Sequence, residues 1–146
     1  MKIVQFKDVT RTYVTGDHTQ DALAHVDLEI EGGKFVVILG PSGAGKSTFL
    51  NLLGGLDNPT SGTIIVDSTD ISTLSSDELA DYRAAKVGFV FQSYNLIPTL
   101  TVLENISLIE EIAPDHMSAE ELLQEVGLDD HANQFPHELS GGEQQR

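Results

Sequence analysis

The sequence predicts an α/β fold with a strand, a glycine-rich loop and a helix, further strands on either side of them, and a helical portion further on. Three observations carry this expectation. The run Lys34-Phe-Val-Val-Ile-Leu39 is apolar without a break and leads into glycines, the pattern of a strand covered on both faces in a parallel sheet. Segments on either side alternate apolar with polar residues, as half-buried strands do. From residue 75 onward, three Ser/Thr-x-x-Glu boxes open stretches with helical spacing.

The chain has 146 residues, 8 Lys+Arg and 23 Asp+Glu, and a formal net charge of −15. With 40% hydrophobic and 21% charged residues it can bury the core of one ordinary domain. Such a negative charge argues against nucleic acid as the main partner, because phosphates call for a basic face. It argues equally against direct adhesion to an anionic membrane. The absence of Cys excludes a disulfide scaffold, a thiolate metal site and a Cys nucleophile. The apolar runs fall far short of the roughly 18–20 residues that span a bilayer. The charged, alternating N-terminus does not read as a signal peptide, so a soluble cytoplasmic chain is expected. The charge is also uneven. Residues 1–86 hold seven of the eight basic residues, whereas residues 87–145 hold none and carry 11 Asp+Glu. A boundary between two regions near 87–100 follows.

Taken in order, Ile3–Val9 and Val26–Ile30 read as half-buried strands, Lys34–Leu39 as the buried one, and Gly62–Val66 and Val87–Phe91 as two more. The boxes Ser75…Glu78, Thr101…Glu104 and Ser118…Glu121 mark helix starts. In each, the hydroxyl accepts from a free backbone N–H and the Glu reaches back to the cap. Val102, Leu103, Ile106 and Ile109, then Leu122, Leu123 and Val126, supply helical apolar faces.

The strongest chemical signal is Gly40-Pro41-Ser42-Gly43-Ala44-Gly45-Lys46-Ser47-Thr48, which matches G-x-x-x-x-G-K-[ST] between the expected buried strand and a helical run to Leu53. Glycines at 40, 43 and 45 let the backbone wrap around phosphates without Cβ clashes. Its N–H groups converge on an anion, reinforced by the positive end of the following helix. Lys46 supplies a point charge to the β- and γ-phosphates, and the Ser47 hydroxyl is a candidate Mg²⁺ ligand. The loop therefore predicts a nucleoside triphosphate. No Asn/Thr-Lys-x-Asp segment is present to read guanine, which argues against a GTPase. The lack of Lys and Arg across 87–145 argues against the basic lid of a small-molecule kinase.

Leu139-Ser140-Gly141-Gly142-Glu143-Gln144-Gln145-Arg146 resembles the signature motif of ATP-binding-cassette (ABC) ATPases. The resemblance extends over the whole chain. Residues 40–48 are its Walker A loop, and Phe91-Gln92 looks like its Q-loop. Tyr13 falls where the family has an aromatic that stacks on adenine, and Leu56–Gly62 resembles the turn after the P-loop helix. The resemblance implies a P-loop NTPase core with an antiparallel β subdomain and an α-helical signature subdomain. It divides the chain into residues 1–91, the core and β subdomain, and residues 92–146, the Q-loop and helical subdomain. It further implies MgATP bound at 40–48 and Tyr13, with Lys46 and Gln92 catalytic and Ser47 and Gln92 at the metal. Ser140, Gly141 and Gly142 would meet the γ-phosphate held by a second copy in a head-to-tail dimer. Residues 88–105 look like the macrolide-export and lipoprotein-release branch, which implies membrane-spanning permease subunits as partners. The location implied is cytoplasmic, at the inner face of the membrane through the permease.

The family's Walker B strand, an apolar run followed by Asp and the catalytic Glu, does not occur in the 146 residues, nor does its switch His. Ile64-Ile-Val-Asp67 is continued by Ser68, and Asp67 reads as a turn residue. The expectation is therefore the N-terminal part of a longer ATPase, deficient in hydrolysis on its own, with an apolar face bared beside strand 34–39. Lys34 and Ser68 depart from the family's usual Glu and Gly. The alternatives kept are a nucleotide-binding module without turnover and a non-transport ABC ATPase.

His18, His25, His116, His131 and His137 lack metal spacing and read as solvated. Asn105-Ile-Ser107 fits a glycosylation sequon without meaning in a cytoplasmic chain. The acidic helical region reads as a solvated face, with steering of a basic permease helix as the sharper reading.

Overall fold

The computed structural model describes residues 1–110 and 117–146, which fall into two compact units, Met1–Arg83 and Ala84–Arg146. The expectation for His116 lies outside the described residues.

The first unit is built on a four-stranded antiparallel sheet in the order β2-β1-β3-β4. Strands β1 (Lys2–Thr15) and β2 (His18–Glu31) form one long hairpin closed by the two-residue turn Gly16-Asp17. β3 (Ser61–Val66) pairs with β1, and β4 (Thr69–Asp70) returns through Asp67 and Ser68, both with positive φ. Asp67 is thus a turn residue, as expected from its neighbours.

The alternation along β1 breaks between Phe6 and Val9, and that break has a local cause. Val4 and Phe6 point into the core, but the next buried side chain is Val9. Asp8, at φ 50°, forms a bulge that shifts the inward face from even to odd positions. His25 on β2 also has φ 50°, and its Nδ1 lies 2.7 Å from Asp8 Oδ1, so the irregularities of the two strands are tied together.

Helix α1 (Lys46–Leu53) lays Phe49 and Leu52 on this sheet, where Phe49 stacks on Phe6 with centroids 4.6 Å apart. Ile64, Ile71 and Leu79 complete the core. Helix α2 (Ser76–Lys86) starts at the predicted Ser75 box, and Tyr82 Oη donates to the Leu53 carbonyl at 2.8 Å.

Two strand expectations fail. Residues 34–39 and 87–91 form no strand, and Phe35 and Leu39 are 94% and 86% exposed. An unbroken apolar run is a strand only if neighbours take its backbone hydrogen bonds and layers cover both faces. Among the described residues the single sheet is antiparallel and built from other segments.

The second unit is helical. α3 (Val102–Glu110), α4 (Ala119–Glu125) and the short α5 (Gly141–Gln145) begin at Ser/Thr-x-x-Glu boxes. Val102, Leu123, Leu128 and Leu139 form its core. Asn105 pins the approach to α3: its Nδ2 donates to the carbonyls of Ile97, Leu100 and Thr101, and its Oδ1 accepts from Ile97 N–H at 2.7 Å. Among the described residues, no helix is long and apolar enough to cross a membrane.

Candidate functional site

The glycine loop folds as its sequence requires. Gly43 and Gly45 have φ of 80° and 82°, a region costly for any residue with a Cβ. Ala44 N–H donates to the Pro41 carbonyl at 3.2 Å and closes the turn. Gly45 then caps α1, with Phe49 N–H donating to its carbonyl at 2.8 Å. Lys46 opens that helix and curls back over the loop, where its Nζ donates to the carbonyls of Gly40 (2.9 Å) and Pro41 (2.7 Å). An ammonium has three donors, so one remains for an anion. A Cβ at Gly43 would meet nothing within 4 Å, so the loop leaves open space on that side. Ser47, in the first turn of α1, is exposed.

These features suit a polyphosphate with Mg²⁺: a glycine cradle, a helix N-terminus, a lysine ammonium and an exposed hydroxyl. Gly40, Pro41, Ser42, Gly43, Ala44, Gly45, Lys46, Ser47 and Thr48 are brought together as one turn of chain.

Tyr13 lies on β1 in the same unit. Its hydroxyl donates to Asp57 Oδ2 at 2.8 Å, and the Arg11 guanidinium lies 4.6 Å from its ring centroid. Asp57 in turn accepts Arg11 Nε at 2.9 Å and Arg11 NH2 at 2.8 Å, one on each carboxylate oxygen. Sequence reasoning singled out Tyr13 and missed Arg11 and Asp57. The only signal was the acidic residue in Leu56-Asp57-Asn58-Pro59, in a segment read merely as a turn.

In the helical unit, Gln92 is exposed in a turn. Ser140 is the N-cap of α5. Its backbone N–H donates to the Glu143 carboxylate at 2.7 Å, and its Oγ accepts from Glu143 N–H at 3.4 Å. This is a fourth Ser/Thr-x-x-Glu capping box, visible in the sequence at Ser140…Glu143. The Ser140 side chain and backbone together hold the Glu143 carboxyl below the usual carboxylate range. Gln144 Nε2 donates to the carbonyls of Pro136 (2.8 Å) and Leu139 (3.1 Å), fixing the turn that presents Ser140, Gly141 and Gly142.

A family model described as ABC transporter matches residues 23–146. The chain is 44% identical over 151 residues to the macrolide export ATP-binding/permease protein MacB of Mannheimia succiniciproducens, covering 100% of this chain and 24% of that protein. It is 43% identical over 149 residues to the lipoprotein-releasing system ATP-binding protein LolD of Syntrophotalea carbinolica, covering 99% of this chain and 66% of that one. Among solved structures, it matches the dimeric post-hydrolysis state of the ATP-binding cassette MJ0796 bound to ADP and Pi. The TM-score is 0.87 and the identity 45%, over 97% of this chain and 65% of that chain.

Proposed function

The chain belongs to the ABC transporter family, and from that premise we propose that it binds MgATP at residues 40–48 as the ATP-binding part of a transporter. Its fold is that of the ABC ATPases, α/β with an antiparallel sheet. The observation that carries the reading is the loop geometry: two left-handed glycines, the helix that starts at Lys46, and the Lys46 ammonium folded over the turn.

Each residue has a role in this reading. The backbone of 40–45 and Lys46 hold the phosphate tail, and Ser47 ligates the metal. Thr48 sits beside it at the helix start, and Tyr13 stacks on the adenine. Gln92 touches metal or attacking water, and Ser140, Gly141 and Gly142 meet the γ-phosphate held by a second copy in a head-to-tail dimer. Bound Mg²⁺ supplies charge neutralisation of the phosphates. The dimer works with membrane-spanning permease subunits, so the chain lies at the cytoplasmic face of a membrane, and nucleotide turnover there drives export or extraction of a substrate. The likeness to MacB and to LolD supports that direction.

Titration of the chain with MgATP, followed by calorimetry, tests the reading. Wild-type chain binds, and Lys46→Ala loses at least about tenfold in affinity, the worth of one charge-assisted contact. Equal affinity of the two proteins would refute the assignment of the phosphate tail to this loop.

A further inference from the structure

We propose that Asp57 and Arg11 are positioning residues that fix the Tyr13 ring as a one-faced platform for a nucleotide base. The inference rests on the reading of the glycine loop as a triphosphate site and adds to it a determinant of base affinity.

Three contacts lock the ring. The Tyr13 hydroxyl is tied to Asp57 at 2.8 Å, which fixes the ring's far end. Arg11 covers a ring face at 4.6 Å from the centroid. Arg11 is itself held by both oxygens of Asp57, at 2.9 and 2.8 Å, in the fork-on-carboxylate geometry that fixes a guanidinium plane. The three side chains form a closed triangle, so none can rotate without breaking a bond of another. Tyr13 stays 39% exposed.

The chemistry favours a planar, uncharged, polarisable ligand such as a nucleobase. With a guanidinium on one face, the ring accepts a stacking partner on the other, and a cation there would be repelled. The triangle also spans the fold: Arg11 and Tyr13 lie on β1, whereas Asp57 follows α1, the helix that begins inside the glycine loop. One carboxylate therefore couples the base platform to the element that carries Lys46. A free tyrosine would lose rotamer freedom on stacking, and a ring already held has little to lose.

The test compares two ligands, MgATP and inorganic tripolyphosphate with Mg²⁺, on the full chain. Tyr13→Ala weakens MgATP by about five- to a hundredfold, the range of a single base–aromatic stack, and leaves tripolyphosphate unchanged. Asp57→Ala weakens MgATP by roughly three- to tenfold, again with tripolyphosphate unchanged, because the ring remains but is no longer held. Tyr13→Phe, which keeps the ring and removes its anchor, falls between wild type and Asp57→Ala.

The failures separate. If Tyr13→Ala is selective for MgATP and Asp57→Ala is silent, the positioning role is overturned while the site reading stands. If Asp57→Ala weakens both ligands equally, Asp57 supports the fold alone and the proposal is overturned. If the wild-type chain binds neither ligand, or binds MgATP without tripolyphosphate, the phosphate-loop reading fails and the proposal falls with it.

Discussion

Replacing Gly45 with Ala, and Gly43 with Ala as its partner, separates two physical demands on the glycine loop. Both glycines sit at nearly the same left-handed φ, 82° and 80°. Each alanine therefore carries the same backbone cost, about 1–2 kcal/mol. Their surroundings differ. A Cβ at Gly43 meets nothing within 4 Å, whereas one at Gly45 would stand 2.3 Å from the Ala22 carbonyl oxygen and 3.0 Å from Leu23 Cδ2. Relieving the first contact means moving backbone of β2 or the start of α1 by roughly 1 Å, which a packed fold resists at a further cost of about 1–3 kcal/mol. Gly43→Ala should lower the unfolding midpoint by about 3–6 °C, and Gly45→Ala by about twice that. In nucleotide titrations Gly45→Ala should lose at least about tenfold more affinity than Gly43→Ala, because it shifts the helix start that carries Lys46 and Ser47. Thermal unfolding and calorimetric binding on the two variants supply both numbers. If they unfold and bind alike, the approach of the Ala22 carbonyl does not shape the loop, and this account of Gly45 is wrong.

Two further predictions follow from the turns and caps. Ser68 holds φ 68° in the turn between β3 and β4, so Ser68→Gly should stabilise the chain by about 0.5–1 kcal/mol, raising the urea midpoint without changing the slope. The Glu78 and Glu104 carboxyls are held below their ordinary 4.5 by backbone and then hydroxyl hydrogen bonds from Ser75 and Thr101, and Glu143 by hydroxyl and then backbone bonds from Ser140. Their folded values are depressed, so the stabilisation is complete above 4.5 and is lost as pH falls through the lowered values. Urea midpoints measured across that window should drop on acidification, and Glu104→Gln should flatten the drop; an unchanged profile would show that the Thr101 box contributes nothing.

What was legible in the sequence was whatever neighbouring residues decide among themselves. The glycine loop, the helix after it, the three capping boxes and the turn at Asp67-Ser68 are fixed by contacts within a few positions, and all appear where expected. Less legible was anything that depends on a distant partner. Alternation marks separate strands only at 3–9 and 26–30, yet β1 and β2 run to Thr15 and from His18 as one hairpin. Their polar far ends are strands only because they pair with each other. The Arg11–Asp57–Tyr13 triangle joins positions 44 and 46 apart in the chain, and nothing in either segment announces the other.

The run 34–39 shows the same limit from the opposite side. Its apolar character is a demand for partners, and hydropathy registers the demand without saying who meets it. Phe35 and Leu39 stand almost fully exposed while Gly40, the next residue, begins a loop formed as its glycines dictate. The loop can do so because its own hydrogen bonds, from Ala44 to Pro41 and from Lys46 to Gly40 and Pro41, lie within it. The α1 helix behind it is held by Phe49 on Phe6, within the core of the antiparallel sheet. The geometry of the glycine loop is thus anchored from the helix side. The observation to seek is retention of loop structure, read from the Gly43 and Gly45 amide shifts, in a variant such as Val37→Asp that abolishes the apolar run; collapse of those shifts would mean that residues 34–39, and not the helix, set the loop.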